Sequence, residues 1–266
     1  MRALIVSAPT LDSVSVEGST RRQVGGPAFY AGLALRALGY EVYAVGPYGP
    51  LTQPTVRREA ELGIRRLCCE GGEGLLMSHV YDGGVRRSRR LGSVRPLDAA
   101  EVLDAIGVAD PDLVIVSPNY DEVPLEALRA LAEARRRYRL ALDVQGYARS
   151  LGSEWWRALE GVEADLVHLS DDDADESVAR ALGRLFPSVL FTLGPGGAMA
   201  IARGRVTAMP SRGFRLRDRT GAGDVILALT AHYHLIESMP LEDAYERSAD
   251  LFARVMVEAS SLRSLE

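Results

Sequence analysis

The sequence contains no lysine: all 31 of its basic residues are arginine. That absence excludes the Gly-Lys-Ser/Thr phosphate loop, Schiff-base chemistry on a lysine, and the strand lysine of protein kinases. A chain of this composition that handles phosphate must use backbone amides, arginine and metal. Cysteine is nearly absent too. Cys68 and Cys69 are adjacent, a spacing at which an ordinary bridge is strained, so they read as small apolar residues in a reducing compartment. The four histidines include no metal-ligand spacing, since His232 and His234 point to different faces of a helix. Asparagine occurs once, at 119. Scarce amides and many charges fit a thermophilic source, and a codon bias toward arginine explains the same counts. No apolar run is long enough to span a bilayer. The opening "MRALIVSAPTLD" reads as a first strand ended by a turn rather than a leader, so a cytoplasmic location is expected. A net charge of −5 provides no general attraction for nucleic acid.

What is present suits one large α/β unit. The chain has 266 residues, 47% hydrophobic and 25% charged. "RALIVS" predicts a first strand, and "SVSVEGSTRRQV" a hairpin about Glu17-Gly18. "GGPAFYAGLALRALG" is a helix with Pro27 in its first turn and Gly39 at its stop. After strand "YEVYAVG" and a helix over 54–62, residues 64–91 change to short strands, with a hairpin about Asp82-Gly83-Gly84. Helix and strand then alternate: helices near 98–107, 124–136 and 172–183, strands "DLVIVS", "LALDV", "ADLVHLS" and "SVLFTL". A hairpin at 197–208 precedes helices over 222–237 and 240–262. Such alternation implies a mostly parallel sheet with helices on both faces. The early hairpins do not fit that sheet. They predict a small β lid, formed by about 13–24 and 64–92, on a single domain spanning 1–266.

The stretch "RDRTGAGDVILALTAHY" carries the chemistry. Glycines at a helix start let backbone N–H groups approach an anion, and the helix dipole favours negative charge there. Thr220-Gly221-Ala222-Gly223 therefore suits a phosphate. Asp224 would repel such an anion, which points to a general base that takes a proton from an attacking hydroxyl. A plain helix cap is the other reading of Asp224.

"DRTGAGD", from Asp218 to Asp224, resembles the C-terminal signature of the ribokinase-like, or phosphofructokinase-B, family of sugar and nucleoside kinases. The resemblance covers nearly the whole chain in order. It implies a three-layer αβα fold with a β lid, Asp224 as base, and Gly221, Ala222 and Gly223 as the anion hole. It also implies Asp218 and Thr220 near the nucleotide phosphates and metal. "GGPAFYAGLALRALG" is similar to the family's N-terminal signature, implying that Gly25 and Gly26 approach substrate while Asp12 holds its hydroxyls. "FTLGPGGAMAI" matches a nucleotide loop at Thr192, Gly194 and Gly197, where a glycine-rich turn is the alternative. "HLSDDDADE" falls at a magnesium-linked Asn-x-x-Glu motif, with Ser170 for Asn and Asp173 for Glu; a solvated acidic helix start is the alternative. Val225 and Ile226 depart from the family's usual residues after the base.

Tyr30 stands where ribokinases carry a sugar-binding Asn, which argues against simple ribokinase activity. "GGPAFYAGLAL" and "LDVQGYAR" look closest to an archaeal subgroup that includes myo-inositol kinase, implying Gln145 and Arg149 near the cleft on the cofactor and substrate sides. Asn119 follows a strand at the edge where open α/β sheets bind ligands and is a substrate-contact candidate. In "RRSRR" at 86–90, Arg87 and Arg89 share one strand face and Arg86, Ser88 and Arg90 the other; a solvated hairpin is expected. The expected activity is transfer of the terminal phosphate of ATP, with Mg2+, to a hydroxyl of a small polyol or sugar, myo-inositol preferred. A nucleoside kinase is the alternative, and a non-catalytic sugar or nucleotide sensor a second. No nucleic-acid or membrane partner is expected, and a homodimer through the lid is.

Overall fold

The structure is a computed structural model; it describes neither residues 83–84, 135–136, 212, 214–217 and 266 nor the side chains of 82, 85 and 86. In chain order, β1 (Arg2–Val6), β2 (Thr10–Val16), β3 (Ser19–Gly25), α1 (Pro27–Ala37), β4 (Glu41–Val45), α2 (Gln53–Glu61) and β5 (Ile64–Arg66) come first. β6 (Leu75–Asp82), β7 (Val85–Arg90), α3 (Ala99–Ala109), β8 (Leu113–Val116), α4 (Leu125–Glu133), β9 (Arg139–Asp143) and α5 (Gln145–Ser150) follow. The chain closes with β10 (Leu166–Ser170), α6 (Glu176–Leu185), β11 (Ser188–Thr192), β12 (Ala198–Ala202), β13 (Arg205–Met209), α7 (Ala222–Ala231) and α8 (Leu241–Leu262). A turn of π-helix, His232–Ile236, extends α7.

Nine strands form the central sheet in the order β13-β12-β11-β10-β9-β8-β1-β4-β5. The pairings from β11 to β5 are parallel, and β12 and β13 add an antiparallel edge. Alternation along the strands builds two cores. Leu4 and Val6 of β1, Val114 and Val116 of β8, and Leu140 and Leu142 of β9 pack with α3, α4 and α6. Ala3 and Ile5, Leu113 and Ile115, and Ala141 face the opposite way, onto α1, α7 and α8. No described helix is long and apolar enough to cross a membrane.

The second sheet has the order β3-β2-β6-β7. Its first hairpin turns at Glu17-Gly18, both with positive φ. The tip of the other, 83–84, lies outside the described residues. One segment assigned to the lid from sequence belongs elsewhere: Ile64–Arg66 pairs parallel with β4, because Ile64 is buried against α1 in the main core. Helix starts follow their caps. Asp175 accepts from the backbone N–H groups of Ser177 and Val178 at 2.9 and 3.2 Å, so α6 begins at 176 rather than 172. Residues 145–150 form the single turn and a half of α5. The side chains of Cys68 and Cys69 lie against one another.

Candidate active site

The carboxyl ends of β1, β8, β9, β10 and β11 lie side by side, and the first turn of α7 meets them there. Gly221 precedes α7 with φ 81°, a conformation that favours glycine. A side chain at 221 would also strike the Tyr30 ring, whose Cγ lies 2.2 Å from the position of such a Cβ. Gly221, Ala222 and Gly223 are half-buried, whereas the helix is buried from Asp224 onward. The Ala222 N–H bonds to Arg219 and that of Val225 to Gly221, both at 3.0 Å. Among the described residues no acceptor meets the N–H groups of Gly223 and Asp224, which are the orphan donors of the helix start.

Asp224 does not cap its helix; its Oδ1 accepts from the Ser117 hydroxyl, 3.0 Å away at the end of β8. Burial pushes the Asp224 carboxyl up to about 7, with the Asp143 charge adding to the rise. The Ser117 bond and the charges of His168 and Arg149 act in the other direction. His168, from β10, lies on the other side of the turn, with Nδ1 2.7 Å from Asp143 Oδ2 and Nε2 3.2 Å from Thr192 Oγ1. Burial disfavours the charged imidazole, but the carboxylates of Asp143, Asp173 and Asp224 together hold its proton affinity above the ordinary value. Ser117 and His168 were not singled out in the sequence. Their signal was position alone: Ser117 directly follows β8, and His168 lies within β10 opposite Asp143 at the end of β9, near the edge where this sheet architecture places ligand-facing groups.

The residues expected at the donor side gather next to these. Asp173 Oδ2 accepts from the Ser170 N–H at 2.9 Å and its hydroxyl at 2.6 Å. Burial and the Asp143 charge raise the proton affinity of Asp173, and Arg149 opposes that rise. The turn at Gly194 is exposed, and its φ is 51°; Arg219 Nη1 lies 2.9 Å from where a Cβ on Gly194 would be. Gly197, at φ 100°, packs against the Met209 carbonyl. Gln145 donates its backbone N–H to Asp143 Oδ1 at 2.9 Å. Among the described residues the one grouping with metal-ligand proximity is Cys68, Cys69 and Glu101, and Glu101 is already paired with Arg95.

The expected substrate residues form a second group. Gly25 allows the Asp12 carboxylate to lie against the backbone, its Oδ2 only 2.1 Å from where a Cβ would stand. Gly26, at φ 97°, approaches Thr10 and Ala8. Asp12 Oδ1 accepts from the Thr10 hydroxyl at 2.6 Å, and Oδ2 faces His79 Nε2 at 3.8 Å. The other nitrogen of His79 bonds Ser88 of β7 at 2.8 Å. Tyr30 joins the two groups, since its ring covers Gly221 while its hydroxyl is buried near Asp12. Burial first, and the Asp12 charge next, raise the proton affinity of that phenol; Arg263 draws it down, yet no group meets hydrogen-bond geometry at the hydroxyl. The Asn119 amide is bound to Ala8 and Glu122 at 3.2 and 3.0 Å, which fixes its oxygen's orientation. Arg149 donates to the Asn119 carbonyl at 3.3 Å, and Arg149 and Arg90 lie over the Tyr120 ring. Arg87 and Arg89 are exposed, while Arg90, on the other face of β7, pairs with Asp121.

Asp218 lies at the meeting of β3, β6 and the end of α8. Its Oδ2 pairs with Arg21 at 2.8 Å and Arg263 at 3.1 Å, and its Oδ1 accepts from the Thr220 N–H at 2.9 Å. The Tyr81 hydroxyl reaches both Asp218 and the Thr220 hydroxyl. Burial opposes this charge, but the Thr220 bonds and the two guanidinium groups hold the carboxyl below its ordinary value.

No protein-family model matches the chain, and no curated protein matches its sequence. Its fold does match solved structures. One is a pyrophosphate-dependent kinase in the ribokinase family complexed with a pyrophosphate analogue and myo-inositol: TM-score 0.80, 17% identity, 96% of this chain and 94% of that chain covered. Others are adenosine kinase from Sinorhizobium meliloti (0.74, 15%, 91% and 90%) and ribokinase from Thermotoga maritima (0.69, 17%, 94% and 91%). The fold is ribokinase-like, a mostly parallel α/β sheet covered on both faces.

Proposed function

We propose that this chain is a small-molecule kinase, moving a phosphoryl group onto a hydroxyl of a small polyol or sugar. The observation that carries this reading is Asp224: a buried carboxyl pushed up to about 7, beside two N–H groups that meet no acceptor among the described residues, at a half-buried helix start. A base with that proton affinity takes the acceptor's proton near neutral pH. The amides of Gly223 and Asp224 stabilise charge on the transferring group without reorganisation. Asp12, set against Gly25, and Tyr30, set against Gly221, position the acceptor, and closure of the second sheet excludes water.

On the donor side, Thr192, Gly194, Gly197 and Arg219 would hold phosphates, with Ser170 fixing Asp173. Asp173 has one oxygen engaged by Ser170, and the other makes no hydrogen bond among the described residues. That fits a hydrated magnesium ion carried chiefly by donor phosphates, which when bound offsets their charge. ATP is the first donor proposed. Pyrophosphate is the second, because a structure of the same fold comes from a pyrophosphate-dependent kinase complexed with myo-inositol, which also supports myo-inositol as the acceptor. A nucleoside acceptor is the alternative, supported by the likeness to adenosine kinase.

The test is purified protein with ATP, ADP or pyrophosphate against polyols, pentoses and nucleosides. Transfer to a polyol is expected, rising with pH through about 7 on the acid side. Asp224→Asn should lower kcat by about 10²–10⁴-fold. Retained turnover in that variant would overturn the mechanism, and binding without turnover in the wild type would favour a sensor.

A further inference from the structure

We infer that His168, held by Asp143, is a positioning residue for this transfer: its ring supports the first turn of α7 beneath Gly223, and the charge of the pair sets how readily Asp224 gives and takes its proton. The inference rests on the kinase reading above. Its ground is geometry. The His168 and Asp143 side chains are 2% and 3% exposed, and Nδ1 and Oδ2 are 2.7 Å apart. Asp143 is itself pinned through its other oxygen by the Gln145 N–H at 2.9 Å. His168 Cε1 lies 3.1 Å from where a Cβ on Gly223 would stand, so the missing side chain is what admits the ring under the cradle.

The partners of the two ring nitrogens accommodate a charged ring. The Thr192 hydroxyl lies 3.4 Å from the Leu169 carbonyl and 3.2 Å from His168 Nε2; when it donates to the carbonyl, its oxygen accepts from Nε2. Asp143 is an acceptor at Nδ1. With both ring nitrogens donating, the ring is an imidazolium, the state proposed for it here. The charged groups around it are Asp143 from β9, Asp224 from α7 and Asp173 from the turn after β10. Arg149 of α5 acts on Asp173 and Asp224. β8 and β11 contribute only the neutral hydroxyls of Ser117 and Thr192. In a chain without lysine, this fixed cation at the start of α7 reinforces the helix dipole toward an anion.

His168→Gln keeps polar bonding and removes the charge. With the cation gone, the Asp224 carboxyl holds its proton more tightly, so the acid limb of kcat/KM should move up by about one pH unit. An unmoved limb, or a loss of activity that only follows loss of fold, overturns the inference. A second measurement needs no turnover. Nitrogen NMR of the labelled imidazole should show both nitrogens protonated at pH 7 in the wild type and earlier deprotonation in Asp143→Asn. A ring already neutral at pH 7, or unaffected by Asp143→Asn, overturns it as well. If the wild type transfers no phosphate, the kinase reading fails, and this nitrogen titration still decides the pair.

Discussion

Asp224 combines a chemical use with a cost to stability. An acid whose proton is held more tightly in the folded state favours the fold at low pH. That contribution is complete below the ordinary value of 3.8 and is lost as pH rises through about 7. Asp224→Asn keeps an acceptor for Ser117 without the charge. Above pH 8 the variant should therefore melt higher than the wild type, by at most about 4 kcal/mol of unfolding free energy. Near pH 4 the difference should vanish; calorimetric melts at the two pH values read it directly. Tyr30 makes a parallel case. Among the described residues its buried hydroxyl meets no partner at hydrogen-bond geometry, an arrangement that costs about 1–3 kcal/mol. Tyr30→Phe should leave the melting temperature equal or higher while raising KM for the acceptor, since the hydroxyl is kept for substrate.

At the scale of elements, the loop before α7 is tied to three distant segments. Asp218 receives Arg21 from β3, Tyr81 from β6 and Arg263 just beyond α8. The Arg263 and Asp218 side chains are 5% and 4% exposed, so removing the acid strands a buried guanidinium. Asp218→Ala should cost about 3–5 kcal/mol by chemical denaturation. Arg21 is 55% exposed, and Arg21→Ala should cost under about 1 kcal/mol. The resemblance in "DRTGAGD" implied a phosphate or metal role for Asp218; its partners also tie the second sheet to the loop before α7. Both Asp224 and Asp218 belong to one legible motif, but of the two, among the described residues, only Asp218 forms ion pairs with guanidinium groups.

Across the whole molecule, two described ion pairs join the second sheet to the site. Arg21 reaches Asp218 from one edge strand, and Arg90 reaches Asp121 from the other, passing over Tyr120. If these set the closed position, Arg21→Ala combined with Arg90→Ala should speed amide exchange in β6 and β7. Exchange in β1, β8 and β9 should not change, because their strands are buried on both faces. KM for the acceptor should rise severalfold in the same variant. Faster exchange throughout the central sheet would mean that the pairs support the fold as a whole.

The amino-acid sequence by itself determined the order of strands and helices, the parallel sheet, and the Gly-Ala-Gly turn that starts α7 ahead of Asp224. These are written in local terms: alternation of apolar residues, proline and glycine at helix ends, and backbone freedom at Gly221. It placed β5 in the lid rather than the main sheet, and it left open that His168 and Asp143 pair beneath Gly223 and that Arg21 and Arg263 converge on Asp218. Those are contacts between residues far apart in the chain. Their partners are chosen by which strands become neighbours and which charges are buried together, and no local periodicity encodes that choice. Only the tertiary structure decided it.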